Sequence, residues 1–396
     1  MVFPYCSSCK AKKNLCGLGY CPILKSVKQA VPMMRKIEGN VETDTPPGIF
    51  VGSYGYPGVL AGPTALFQRE IFDYSTERKT LNMEQNISFN SNIYRTASLI
   101  NVKNPEPKIS EYILESASSI KSFEIEFNSN HFSMRGADGA DFFDTPVGST
   151  AMISSLRVTG NPKVPRLVDY VHEDYDLKAT EAVMNLYKGG FRTEYIQNIV
   201  AGGVVGLKNN RKMVPTRWSI TATDDMIFKN LKREITKFQW IDDIRVFHGS
   251  LLGNRFQIVL IPGPFTFEML EQWNRGSLWG AGSVAVDYED TGGRTKYASE
   301  ITGAYYAARL SVSEYLISIK RQASVLVIRN IGSEYYSPLG VWVIRSGVKD
   351  SLNTNFERFD SILNLKKDTN FIISETAKRS KTLNDSEKQR RLIDYQ

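Results

Sequence analysis

The chain has 396 residues, 42% of them hydrophobic, with 49 Lys or Arg against 42 Asp or Glu and a formal net charge of +7. That length exceeds one compact core and points to two domains with flexible ends. No stretch approaches the roughly 20 apolar residues that cross a bilayer, so no membrane partner is expected, and the mild basic excess permits a polyanionic one.

The first 37 residues stand apart. They hold seven Lys or Arg, no Asp or Glu, and all four cysteines of the chain. Cysteines and lysines lie where a secretory signal would carry an apolar run, and four clustered cysteines do not make a secreted disulfide framework, so an intracellular protein is expected. Cys6-Ser7-Ser8-Cys9 is a Cys-x-x-Cys knuckle that lets two thiolates grip one metal. Cys16 and Cys21, with Gly17 and Gly19 easing the turn between them, can close a tetrahedron. The expected ion is a structural Zn2+, with no open coordination position for catalysis; an iron–sulfur cluster is the alternative use of such a set. Lys10, Lys12 and Lys13 beside the cysteines suit phosphate contacts with DNA, and a solvated lysine face is the bland alternative.

Residues 38–64 are rich in Gly and Pro and include Gly52-Ser53-Tyr54-Gly55-Tyr56-Pro57-Gly58. Glycines let the backbone approach a ligand, and the tyrosines can stack on bases. The spacing fits neither a Walker loop nor a dinucleotide fingerprint. Further on, β-branched and aromatic runs predict strands over Ser122–Phe127, Ile153–Thr159, Ile244–His248, Phe256–Ile261, Ser324–Asn330 and Val341–Arg345. Apolar spacing predicts helices over Ile109–Ile120, Asp224–Phe238, Phe267–Asn274 and Ala298–Arg321, the second capped by Thr223 with Asp224 and Asp225 in its first turn. Strands and helices do not alternate, which favours an α+β fold with a mixed sheet-and-helix body over a doubly wound sheet.

The stretch Val214-Pro215-Thr216-Arg217-Trp218, preceded by Lys208, Arg211 and Lys212, brings cations, an aromatic and a helix start together. Arg217 is the candidate nucleic-acid contact. The alternative is a Trp packed in the core beside an ion-paired Arg. Carboxylates gather at Asp287, Glu289, Asp290 and Glu300 and at Asp138, Asp141 and Asp144. Acids in that number can hold magnesium in a nuclease, but neither spacing compels a metal. His131, His172 and His248 are scattered, and no nucleophile–base pair emerges. Ala377–Gln396, with six basic and three acidic residues, reads as a mobile tail. At its end, Gln389, Leu392 and Tyr395 recur every third residue, as in peptides that hold the sliding clamp (PCNA). One helical turn would present Leu392 and Tyr395 together to an apolar pocket. Gln396 stands where such peptides usually carry a second aromatic.

Together, CSSC…CGLGYCPI, GSYGYPG, VPTRWSITATDD, IPGPFTFEMLEQW, ITGAYYAARLSVSEYL and SPLGVWVIR resemble the Nre family of archaeal DNA repair proteins, from Cys6 to the tail. The resemblance implies a cytoplasmic repair protein with a metal-binding N-terminus and a clamp-binding peptide carried by Gln389, Leu392 and Tyr395. The expected domain order is a zinc module over 1–37, α+β domains over 38–240 and 241–360, and a flexible tail over 361–396. A metal-dependent enzyme acting on nucleic acid or a nucleotide, and a scaffold without catalysis, are the competing readings.

Overall fold

The computed structural model describes residues 9, 13, 15–19, 21, 37–68, 78–103, 107–133, 149–274, 283–367 and 374–388. They form an α+β structure of two compact units, and the boundary between the units falls after Ile227. No helix among the described residues is long and apolar enough to cross a membrane.

The N-terminal unit is built on a six-stranded mixed sheet of β1 (Gly39–Thr45), β2 (Ile49–Val51), β3 (Gly58–Leu66), β4 (Ile93–Asn101), β5 (Phe123–Ser133) and β6 (Thr150–Val158). Its order is β1-β5-β6-β4-β3-β2; only β4 and β6 run parallel, and β2 is an edge. Period-two alternation buries Ile125, Phe127, Tyr94 and Ala151 in one cluster with Phe132 and Ile153. Among its described residues are the helices α1 (Met83–Ser91), α2 (Pro107–Ser118), α3 (Arg166–Glu173), α4 (Ala179–Lys188) and α5 (Thr193–Ala201). The α1 start is a full capping box between Asn82 and Gln85. Helix α6 (Thr216–Ile235) begins in this unit and ends beyond the boundary.

The C-terminal unit holds a second six-stranded mixed sheet. Its strands are β7 (Ile244–Leu251), β8 (Asn254–Ile261), β9 (Thr266–Trp273), β10 (Val284–Glu289), β11 (Ser324–Ile331) and β12 (Glu357–Phe359), in the order β10-β9-β11-β8-β7-β12. Strands β9 and β11 pair in parallel and the other neighbours are antiparallel. Helices cover both faces. On one side, α7 (Gly303–Ile319) meets the sheet through the ring contacts Phe267–Tyr305 and Phe247–Tyr315, and α8 (Trp342–Leu352) sets Gly347 against the ring of Phe256. On the other, Leu270, Leu326 and Ile328 share a core with Ile362 and Leu365 of α9 (Ile362–Lys367), Ala377 of α10 (Ser374–Ala377) and Leu383 of α11 (Lys381–Lys388).

Three expectations fail here for identifiable reasons. Phe267–Asn274 is a strand because β9 lies inside the sheet. Phe267 faces α7 while Glu268 and Leu270 face α11, so both faces are buried and the hydropathy does not alternate. Val341–Arg345 is the start of α8, whose Val343, Ile344 and Val348 are buried, so tertiary packing overrides β-propensity. Residues 374–388, expected within a mobile tail, are instead bolted to the sheet. Ser380 Oγ and the backbone N–H groups of Lys381 and Thr382 all donate to the buried carboxylate of Glu268, at 2.6, 2.8 and 2.9 Å. Ser380 also caps α11 by accepting from the Leu383 N–H, Thr376 bonds Gln272, and Lys366 pairs with Glu387. A carboxylate among the unpaired N–H groups of a helix start is favoured by charge-assisted hydrogen bonds and by the helix dipole.

Candidate nucleic-acid interface

Two motifs separated by some 160 residues of sequence meet in the N-terminal unit. The glycine-rich segment links β2 to β3 as a tight turn, in which the Gly58 N–H donates to Gly55 O at 3.0 Å and the Gly52 N–H to Leu60 O at 2.8 Å. Gly55 has φ +78°, and a Cβ there would lie 2.8 Å from Gly58 O, so the turn requires glycine. The Val102 N–H donates to Pro57 O at 2.9 Å, which fixes the far side of the turn against the end of β4.

Helix α6 starts alongside. Its first backbone donors, Trp218 N–H and Ser219 N–H, find Pro215 O at 2.7 and 2.9 Å, while Thr216 Oγ1 accepts from the Val51 N–H at 2.9 Å. That bond satisfies a donor on the edge strand and pins the helix start to the glycine-rich turn. The rings of Tyr56 and Trp218 lie 5.4 Å apart, tilted by 50°, a separation at which aromatic pairs attract. Tyr56 is half-buried as a strut. Tyr54 at the tip is 97% exposed, and Trp218 remains 46% exposed. Arg217 is exposed beside it.

The helix start expected at Thr223, with two acids set to repel an anion, is not the one observed. The helix begins two turns earlier, after Pro215, and its first turn carries no acid. Thr223 is buried mid-helix, and Asp224 is buried where it accepts from Gln197 Nε2 of α5 at 3.0 Å. Trp218 is not a core residue, so the alternative of a packed Trp fails. Of the three cations upstream, Arg211 is consumed structurally: it donates to Gly206 O, His172 O and Asp174 O at the end of α3. Burial pushes its pKa down. Lys208 lies over the Tyr175 ring at 4.3 Å, and Lys212 is exposed. Lys103, which sequence reasoning missed, is exposed next to Val102 at the foot of the turn. The signal for it was only register: Gly58 pairs with Asn101.

The acidic cluster of the C-terminal unit has structural partners. Asp287 pairs with Arg294 at 3.0 Å and accepts from the Glu300 and Ile301 N–H groups. Glu289 pairs with Arg309, and Glu300 accepts from the Val286 N–H at 2.8 Å. Arg309 stacks on Phe228, 3.7 Å from the ring centroid. Such partners hold a loop and a helix to β10. Among the described residues, no group of three or more His, Cys, Asp or Glu side chains is placed to hold a metal ion. Asp138, Asp141 and Asp144 lie outside the described residues, as do Cys6, Lys10, Lys12, Gln389, Leu392 and Tyr395. Cys9 is buried, Cys16 and Cys21 are half-buried, and Lys13 is exposed.

The chain is thus a two-unit α+β protein whose N-terminal unit offers an aromatic and cationic surface. Comparison with known proteins gives its family. The N-terminal model of archaeal Nre matches residues 15–280, and the C-terminal model of archaeal Nre matches residues 289–395. The chain belongs to the archaeal Nre family. It is 37% identical over 372 residues to DNA repair protein NreA of Archaeoglobus fulgidus, covering 92% of this chain and 93% of that protein. It is 32% identical over 365 residues to DNA repair protein NreB of the same organism, covering 90% of each. Against DNA repair protein NreA of Haloferax volcanii the identity is 34% over 323 residues, 76% of each chain. No solved structure matches.

Proposed function

We propose that this chain is a DNA repair factor that contacts DNA, carries a structural zinc ion and docks on the sliding clamp. The relatives that match over most of its length are named DNA repair proteins, which supports the repair role. The observation that carries the DNA contact is Arg217, exposed in an acid-free first helical turn that Thr216 pins to the glycine-rich turn. A guanidinium at the positive end of a helix favours phosphate. Lys10, Lys12 and Lys13 add charge from the head of the chain.

Zinc would be held by Cys6, Cys9, Cys16 and Cys21, a thiolate set of the kind that closes structural sites and leaves no position for substrate. It would order the basic head. The clamp contact would use Leu392 and Tyr395 as apolar anchors and Gln389 as a hydrogen-bonding group, immediately beyond the end of α11. This assignment gives the protein a recruiting and DNA-holding role.

The test is a salt titration of DNA binding by the full chain and by Arg217→Gln. Affinity that falls as salt rises, with a shallower slope in Arg217→Gln, is expected, because each phosphate left without its cation takes about one counterion off the slope. Salt-independent affinity overturns the DNA contact. Clamp binding that survives removal of residues 389–396 overturns the clamp assignment.

A further inference from the structure

The geometry points to the class of DNA held at the turn–helix junction: unpaired strand, taken up by stacking of its bases on Tyr54 and Trp218, with Arg217 and Lys103 on the backbone phosphates. This rests on the DNA-contact reading above and narrows it to one ligand class.

Four observations lead there. Tyr54 is almost wholly exposed, at 97%, although it tips a turn closed by two backbone hydrogen bonds and a glycine that no other residue can replace without collision. An aromatic ring carried in water at the tip of a fixed turn is not used in packing the fold and leaves both faces open to a stacking partner. The second ring, Trp218, is half-exposed and is braced from behind by Tyr56. The Trp218 ring is therefore braced before any ligand arrives, so less side-chain entropy is lost when a base stacks on it, while Tyr54 is carried on a fixed backbone.

The charge distribution selects between strand forms. From Pro46 to Gln68 the chain carries no charged side chain. A duplex shows approaching proteins chiefly its phosphates and the edges of its bases, which an uncharged, aromatic-tipped turn is poorly suited to meet. Unpaired bases show their faces, and a face is what a tyrosine or tryptophan ring accepts. Cations neighbour both rings along the chain and its backbone bonds: Arg217 precedes Trp218 on the first turn of α6, and Lys103 follows Val102, whose N–H is bonded to Pro57 of the turn. Stacking groups flanked by cations match a strand whose bases turn in and whose phosphates run past.

The experiment uses the full chain and two fluorescein-labelled probes of equal length, a single-stranded oligothymidine and a mixed-sequence duplex, read by anisotropy at low and at physiological salt. The single strand is expected to bind at least 10-fold more tightly than the duplex. Tyr54→Ala should weaken the single strand roughly 5- to 100-fold, in line with the loss of one stacked base, and leave the duplex within about 2-fold. Tyr54→Phe should restore single-strand binding, since it keeps the ring. Tyr54 is so exposed that its replacement does not threaten folding, and Trp218→Leu serves as a second, independent variant. Equal affinity for the two probes overturns the inference and leaves the DNA contact standing. So does a single-strand preference unmoved by both Tyr54→Ala and Trp218→Leu. No binding to either probe at low salt overturns both readings.

Discussion

Replacing Glu268 with Gln should release the last helices from the C-terminal unit while leaving the sheet intact. The wild-type carboxylate is fully buried and accepts three hydrogen bonds, from Ser380 Oγ, the Lys381 N–H and the Thr382 N–H, divided between its two oxygens. Glutamine keeps the shape but presents one oxygen and one NH2. Whichever way it turns, at least one backbone donor at the start of α11 faces another donor. A hydrogen bond to a charged group contributes about 1.5–3 kcal/mol, and the interaction with the helix start adds up to about 1 kcal/mol. The docking of residues 374–388 should therefore weaken by roughly 2–4 kcal/mol, which is about a 30- to 800-fold rise in the population of the released state. Native-state hydrogen exchange followed by mass spectrometry reads this directly. Peptides spanning 374–388 should exchange faster by that factor, while those from β8 and β11 keep their protection. Unchanged protection across 374–388 in Glu268→Gln would refute the assignment of Glu268 as the anchor. Faster exchange everywhere would show that the helices and the sheet unfold as one.

Two further outcomes follow from buried charge in the same unit. Glu289→Ala leaves the Arg309 guanidinium buried without its carboxylate, which costs about 3–5 kcal/mol; chemical denaturation should show that loss, and a loss below about 1 kcal/mol would contradict it. Burial is the chief cause lowering the Lys232 pKa, and Arg309 lowers it further against the opposing pull of Glu289 and Asp290. Since the unfolded lysine, near its ordinary value of 10.5, binds the proton more tightly than the folded one, this group's contribution to stability rises with pH between the two pKa values. Lys232→Met removes the group, so its stability advantage over the wild type should shrink as pH climbs toward 10.5, measured by urea melts from pH 8 to pH 10.5. A gap that widens over that range would reverse the assignment.

The strands rich in Val, Ile and Phe were legible because each alternates or runs continuously between turn residues, and Ile109–Ile120 and Ala298–Arg321 were legible as helices from their apolar spacing. The strand β9 was not, because Glu, Met, Leu and Gln are good helix formers and only the neighbouring strands make this segment extended. The start of α6 was obscured because Thr-Asp-Asp imitates a cap, whereas Pro215 and Thr216 set the true start. For the site, each motif could be read singly. Their meeting could not, since the bond that joins them links Val51 to Thr216, 165 residues apart. The polar composition after residue 377 concealed the docking for a different reason. The groups that dock it are hydroxyls and backbone N–H groups gathered on one buried carboxylate, and hydropathy has no sign for that arrangement.

That docking sets a length. A free tail over residues 361–396 would have 36 residues and could span about 120 Å when extended, whereas the proposed clamp peptide, residues 389–396, starts directly after Lys388 and spans about 28 Å at most. For the proposed clamp contact, the difference is that between a long rope and a short leash. A clamp held by those eight residues stays within about 28 Å of the end of α11, so its local concentration near the C-terminal unit is high and its freedom to wander is small. Undocking the helices would lengthen the leash, and the reach of the protein along DNA would then be governed by a carboxylate on β9 that touches neither clamp nor DNA.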